Sequence, residues 1–296
     1  MLDNIDAATF NNLFVTRLDS ADGIEKAAQA GGAFVRERLR EVAFSRAILP
    51  PEYVTKADCQ RSVNHDTLVK IVDIEPQSRA AAVNFRGKAF DRYIEGDRFE
   101  IPFFKIESDK FSKTEGELLA FDFPVTKVIE DNSVKDIQTI EDTRLISFVD
   151  GVIAATGKSV AFAGPINRSK LNALFNLIDT DELSVGVVLM NKKDWNDWNS
   201  QPATDIGSPL ASEVAVNGYK YNTIIGHKLV VTIKSSIVPP GTVYAFVDPK
   251  YLGNFFILND TKFYIEKRAD LISWQTWEYI GMGIGNLRGA AKLTLT

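Results

Sequence analysis

The segment RYIEGDRFEIPFFKIESDKFSKTEGELLAFDFPVTKVIEDNSV, Arg92 to Val134, reads as one long, charged β-hairpin. Its first arm, Arg98 to Glu107, carries Phe99, Ile101, Phe103 and Phe104. Its second arm, Leu118 to Ile129, carries Leu119, Phe121, Phe123, Val125 and Val128. Between them lies the polar tip Ser108 to Glu117, which includes Lys110, Phe111, Lys113 and Gly116. Partial alternation of aromatic and charged residues on both sides of a polar, glycine-containing tip is a hairpin signal. Arms this long and this charged cannot all bury against their own domain. An isolated hairpin is marginal in water, and its edges invite pairing with another chain. A neighbouring subunit that receives the arm is the simplest explanation.

Outward from this segment the chain reads as an ordinary globular protein. Its 296 residues can bury a large core or divide into two domains, and 45% apolar with 25% charged residues is near average. The net charge of −5 argues against a sequence-independent nucleic-acid binder, which needs a basic surface to neutralise phosphates. Cys59 is the sole cysteine, so no intramolecular disulfide is expected and a reducing compartment fits. MLDNIDAATFNNLF has no basic region followed by an apolar run, so no signal peptide is expected. The longest apolar runs, such as Val185 to Met190, are too short for a membrane-spanning helix.

Residues 1 to 75 read as an N-terminal arm. Asp22 opens a helical segment with Ile24, Ala27, Ala28, Val35, Leu39 and Val42 near helical spacing; Gly31-Gly32 weakens it and Pro50-Pro51 ends it. Arg36, Arg38, Arg40 and Arg46 form a strip that could make a weak DNA contact, although Glu37 and Glu41 interleave as on a solvated helix face. After the hairpin, Val134 to Ala155 predicts a helix capped by Ser133 or Asp136. Its apolar stripe is Ile137, Ile140, Leu145, Phe148, Val149 and Val152, its charges Glu141 and Asp142 are solvated, and Gly157 lies near its end. Asn167 to Ile178 is the cleanest amphipathic helix, with Leu171, Leu174, Phe175 and Ile178 at i, i+3, i+4 and i+7. Ser184 to Met190 predicts a buried strand, and Asn191 caps a short helix whose Trp195 and Trp198 are expected to pack. Gln201 to Glu213 reads as a loop. From Tyr219 the chain turns β-rich: 229–233, 242–247, 254–258, 261–267 and 271–280 are strands, Asp248-Pro249 opens one helical turn, and the terminus is strand-like. Helices early and strands late, with a hairpin between, make an α+β class.

No chemistry finds an anchor. His65 and His227 lie outside any nucleophile-elbow context, and Cys59 carries no reactive-thiol signature. There is no Cys pair, no His pair at helical spacing and no calcium-loop pattern, so neither a metal nor a cofactor is expected. Gly281-Met282-Gly283-Ile284-Gly285 has glycine spacing, but too few residues follow for a nucleotide-binding βαβ unit, which leaves a bend or bulge between strands. In Ala155-Thr156-Gly157-Lys158-Ser159 the phosphate-loop pattern fails at Val152.

Taken in order, these parts resemble the tailed-bacteriophage major capsid proteins of the Hong Kong 97-like fold. The hairpin corresponds to their E-loop, GVVLMNKKDWNDWN to the step out of the peripheral (P) domain, PPGTVYAFVDPKYLG to an axial (A) domain strand-turn element, and IEKRADLISWQTWEYIGMGIGNLRGAAKLTL to their closing segment. The resemblance covers nearly the whole chain. It implies an N-terminal arm (1–75), the E-loop and its base (76–133), a P domain with a spine helix (134–205), an A domain (206–265) and a return to the P domain (266–296). It further implies a structural, non-enzymatic subunit that self-assembles as pentamers and hexamers into an icosahedral shell enclosing double-stranded DNA, with no membrane partner. The location implied is the virion, with assembly in the host cytoplasm. The E-loop contacts between neighbouring copies would be Phe99, Phe103, Phe104, Lys110, Phe111, Lys113, Phe121 and Phe123. Scaffolding, portal and decoration proteins are further partners of that class; about 50 residues precede Pro50, too few for a large built-in scaffold. Some members crosslink an E-loop Lys to a neighbour's Asn beside a catalytic Glu. Lys110, Lys113 and Asn286 are the corresponding residues here, but no Glu is identified and no crosslink is expected. An encapsulin-like compartment shares the fold, and an enzyme or binding module with an inserted hairpin is the alternative of another class.

Overall fold

The computed structural model describes residues 12, 14–16, 18, 22–26, 43–61, 66–74, 80, 82–88, 96–119, 125–200 and 223–296. The strands are β1 (Pro51–Tyr53), β2 (Gln60–Arg61), β3 (Leu68–Asp73), β4 (Arg98–Pro102), β5 (Phe104–Glu107), β6 (Phe111–Thr114) and β7 (Ser159–Phe162). They continue with β8 (Val185–Asn191), β9 (Thr223–Ile224), β10 (His227–Thr232), β11 (Thr242–Val247), β12 (Asn254–Arg268), β13 (Leu271–Gly283) and β14 (Ala290–Leu295). Residues 14–16 and 23–26 are helical, and the helices that follow among the described residues are α1 (Phe44–Ile48), α2 (Glu115–Leu119), α3 (Val125–Thr156), α4 (Arg168–Asp179), α5 (Lys192–Asn199) and α6 (Pro249–Leu252).

The α+β class stands, and the later elements form where the sequence pattern puts them. Asn167 caps α4 by accepting from the Lys170 N–H, and Asn191 caps α5 by accepting from Lys193. Trp195 and Trp198 are buried. A six-stranded sheet runs β7-β14-β11-β8-β10-β9. Its central strand β11 (TVYAFV) is buried along its whole length, as a strand covered on both faces must be. This sheet takes strands from the segments expected as P domain, A domain and return alike.

α3 is the spine. At 32 residues it is about 48 Å long by its rise per residue. It begins at Val125, ahead of the expected start at Val134 and without Ser133 or Asp136 as a cap. The β-branched Val125, Val128 and Ile129 favour a strand arm, but tertiary context overrides so weak a preference. Gly157 ends the helix at φ +69°, donating its N–H to Ile153. The buried stripe runs through Ile137, Leu145, Ile146, Val149 and Ile153. Ile140 and Phe148, expected within it, are exposed, while Glu141 and Asp142, expected in solvent, are fully buried.

The expected hairpin does not form between 98–107 and 118–129. β5 and β6 lie end to end along β13, with Phe104 opposite Ile280, Glu107 opposite Trp277, Phe111 opposite Trp274 and Thr114 opposite Leu271. Ser108 to Lys110, expected at a tip, is a step in mid-strand, where the Ser108 N–H donates to the Thr276 carbonyl. After β6 the chain turns into α2. Thr114 and Glu117 form a reciprocal cap: the Glu117 N–H donates to Thr114 Oγ1 and the Thr114 N–H to Glu117 Oε2. The long hairpin is β12–β13, which with β1, β5 and β6 makes a five-stranded sheet.

Candidate functional site

Among the described residues the most exposed large apolar side chain, Phe85, lies between the strands of the β3–β4 hairpin. The hairpin's register runs from Val69 opposite Pro102 to Asp73 opposite Arg98, and the Ile74 N–H extends the ladder to the Asp97 carbonyl at 2.8 Å. Arg98 Nε meets Asp73 Oδ1 at 2.7 Å in solvent, an ion pair that adds little stability. Pro102 ends the strand, a place a ladder tolerates proline. Between Ile74 and Asp97 every described residue is exposed. A tight turn there, closed by the Gly87 N–H on the Asn84 carbonyl at 2.6 Å, holds Val83 half exposed and Phe85 fully exposed at 108%.

The base of this hairpin is anchored on a glycine track. Phe99, Ile101 and Phe103 alternate along the returning strand and point the same way. Beneath them run Gly281, Gly283 and Gly285, also spaced by two. A Cβ on Gly283 would stand 2.8 Å from Ile101, one on Gly281 3.1 Å from Ile101, and one on Gly285 3.0 Å from Phe99. The hairpin therefore crosses β13 in a seat that only glycine leaves open. Ile101, Phe103 and Phe256 form the core of that seat, with Val54, Cys59, Leu68, Val72, Phe99 and Leu258 around it. The opposite face of β13 carries Glu278, which accepts from Arg46 of α1, and Ile280, which joins the main core.

The other expected contact residues fall elsewhere. Phe104 packs on the main core, with the Arg144 guanidinium of α3 5.5 Å from its ring centre. Phe111 joins a distal cluster of Val15, Leu18, Leu118, Phe263, Ile265, Ile272 and Trp274. Lys110 Nζ meets Glu266 Oε2 at 2.7 Å, and Lys113 lies opposite Ile272 in the sheet. Phe103 is buried in the hairpin seat. These residues are occupied within their own copy, because a non-local strand pairing outcompetes the local hairpin. Phe121 and Phe123 lie outside the described residues, as do Arg36, Arg38, Arg40 and His65.

Arg46 leaves the basic strip altogether. Its guanidinium is buried, donating from Nε and Nη2 to Glu141 at 3.0 and 2.5 Å and from Nη2 to Glu278 at 3.3 Å. Burial opposes its charge, but the hydrogen bond and charge of Glu141 and the charge of Glu278 outweigh it and raise its pKa. Beside it Asp142 accepts from the Ser45 N–H at 2.9 Å and from Lys234 Nζ at 2.6 Å, and burial pushes its carboxyl up against those partners. His227 of β10 packs edge-on against Phe175 of α4. Cys59 donates its thiol to the Thr55 carbonyl at 3.4 Å, and partial burial raises its pKa, the opposite of an activated nucleophile. Asn286 Oδ1 accepts from the Arg288 N–H, so its carboxamide stabilises the bend before β14.

Sequence reasoning places the hairpin one strand too late. Two signals point to the true one. Thr114-Glu115-Gly116-Glu117 is a capping box that ends β6 in a helix, and 281–285 carries glycine at alternate positions opposite alternating apolar residues at 99–103.

No protein-family model matches this sequence, and neither does any curated protein. Solved structures do. A chain of Microbacterium phage Oxtober96 is 13% identical over 85% of this chain and 90% of its own, with a TM-score of 0.62. A chain of the capsid of cyanophage P-SCSP1u is 11% identical over 80% and 85%, with a TM-score of 0.58. A chain of the virus-like particle from Pyrococcus furiosus is 14% identical over 91% and 98%, with a TM-score of 0.56. Identities this low speak for architecture. The chain has the Hong Kong 97-like fold of tailed-phage capsid proteins.

Proposed function

We propose that this chain is a major capsid protein whose copies assemble, as pentamers and hexamers, into the icosahedral head shell of a tailed phage. The observation that carries the proposal is the β3–β4 hairpin, anchored at its base on Gly281, Gly283 and Gly285 and ending in a fully exposed Phe85. A fully exposed phenylalanine held on an ordered turn stabilises nothing within its own copy. Burying it against a second copy contributes about 1.5–3 kcal/mol, repeated throughout a shell. On this reading the E-loop is residues 68–102. The P domain is α3 with the β12–β13 hairpin, and the A domain is the six-stranded sheet with α4 and α5. The work is mechanical and needs no catalytic group or cofactor. Duplex DNA is enclosed and not gripped, and any weak contact falls to Arg36, Arg38 and Arg40.

Purified protein imaged by negative-stain electron microscopy and sized by sedimentation velocity tests the proposal. Shells, or capsomers that close into shells, support it, and a concentration-independent monomer refutes it. The Pyrococcus furiosus particle has the same fold, so a compartment is the second reading. Shells recovered from cells with protein cargo and no encapsidated DNA favour that reading.

A further inference from the structure

The buried polar cluster on the spine helix carries an inference about the single chain, independent of whether it forms a shell. Three elements meet there. α1 brings Ser45 and Arg46, α3 brings Glu141 and Asp142, and β13 brings Glu278. β12 adds Thr261, whose hydroxyl donates to Glu278 Oε2 at 3.1 Å. Lys234, beyond β10, pairs with Asp142. Tyr53 of β1 lies near Arg46, and β5 presents only Ile106 beside Glu278.

The charges do not balance as ordinary ionised groups. Lys234 matches Asp142, which leaves one guanidinium for two fully buried carboxylates, Glu141 and Glu278. Glu141 takes both strong bonds from Arg46; Glu278 takes only the 3.3 Å one. An unmatched buried charge is costly enough that such a group gains a proton instead. The hydrogen bonds agree. Glu278 Oε1 is buried and accepts no hydrogen bond. An ionised carboxylate oxygen can only accept, so this atom is an unmet cost until a proton makes it a donor. Glu141 Oε1 and Glu278 Oε2 share Arg46 Nη2, at 2.5 and 3.3 Å, which sets Glu141 beside Glu278 as the acceptor such a proton needs.

We propose that Glu278 is held protonated and that Arg46, Glu141 and Glu278 form a proton-linked clasp. It fastens α1, the base of the N-terminal segment, and the β12–β13 hairpin to the spine helix. Loss of the proton leaves two negative groups on one guanidinium and loosens the clasp. Burial first, then the charge of Glu141, lifts the Glu278 carboxyl well above its ordinary range, against the pull of Arg46 and Thr261. An unfolded Glu titrates near about 4.3, so between that pH and the raised value the folded chain holds one proton more than the unfolded chain. Stability conferred by this proton is therefore full at acidic pH and falls as pH rises through the window.

The test compares wild type with Glu278→Gln across pH 5 to 9. Within the window the folded-to-unfolded ratio of wild type should fall about tenfold per pH unit relative to the variant, the slope of one proton. Asp142 titrates alike in both chains and cancels. Amide exchange at Phe44 to Leu49, corrected for the intrinsic rate, should accelerate toward alkaline pH in wild type and not in the variant. Parallel stability profiles and equal exchange overturn the clasp. Should Glu278→Gln fail to fold, infrared spectroscopy of the wild type decides. A protonated-carboxyl band at neutral pH that persists in Asp142→Asn and disappears on alkaline titration supports the clasp, and its absence overturns it.

Discussion

Replacing residues 75–96 by an Asn-Gly turn between Ile74 and Asp97 separates folding from assembly. Ile74 and Asp97 already face each other across a 2.8 Å hydrogen bond, the geometry a two-residue hairpin turn requires. The described residues removed are exposed, so little packing is lost. Shortening a loop from about 22 residues to about 2 lowers its closure entropy, which favours folding by about 1–2 kcal/mol. Assembly moves the other way. If Phe85 and half-exposed Val83 are buried on a neighbour, each contact between copies loses about 3–6 kcal/mol, a factor of about 100 or more in its equilibrium constant. Urea unfolding should show an unchanged or slightly raised midpoint, while sedimentation velocity shows monomers or lone capsomers at concentrations where the full chain forms shells. Shells at wild-type yield would refute the role given to the hairpin, and a chain that no longer folds would refute its division into seat and tip.

Gly283→Val should cost about 1–3 kcal/mol by urea unfolding, because its Cβ would sit 2.8 Å from Ile101, a side chain with no space to retreat. Arg46→Ala should cost about 3–5 kcal/mol by the same measurement, since it strands Glu141 and Glu278 without their guanidinium. The same substitution should leave DNA affinity unchanged, as Arg46 is not on the surface. Purified protein should bind duplex DNA no more tightly than about 10⁻⁴ to 10⁻⁶ M at physiological salt, and nanomolar binding with a steep salt slope in a titration would overturn the container reading. Cys59→Ser should change urea stability by less than about 1 kcal/mol and leave assembly intact, because its thiol makes only one weak bond.

Local rules make the second half of the chain legible. α4, β8, α5, β11 and α6 are short elements whose apolar period, cap and turn residues all agree, and each forms within a residue or two of its expected bounds. The first half misleads wherever distant partners decide. Phe104 and Ile106 have the alternation of a strand arm, but their partner is β13, more than 150 residues away, and against 118–129 stands a capping box at Thr114 to Glu117 that is easily read as a turn. Glu141 and Asp142 read as solvated because carboxylates on a helix ordinarily are. Their burial depends on Arg46, Ser45 and Lys234, which arrive from other parts of the chain. The arm is legible in kind, as a charged hairpin with apolar residues to spare, while its position rests on a glycine spacing at 281–285 that gains meaning only once 99–103 lies opposite it.

That seat gives the hairpin a level at which its role changes. Below the Asp73–Arg98 pair the residues of both strands meet their own copy: Leu68, Val72, Phe99 and Ile101 pack with Phe256 and Leu258 over the glycines. Above it the described residues are exposed. A hairpin loose at its base would swing, and ordering it on contact would cost conformational entropy in every copy. A hairpin fixed at its base has met part of that cost during folding. Substitutions should divide at the same level. Changes below the pair lower stability and assembly together, since they free the arm as well as unpack the seat. Changes above it, such as Phe85→Ser, lower assembly while the urea midpoint stays in place.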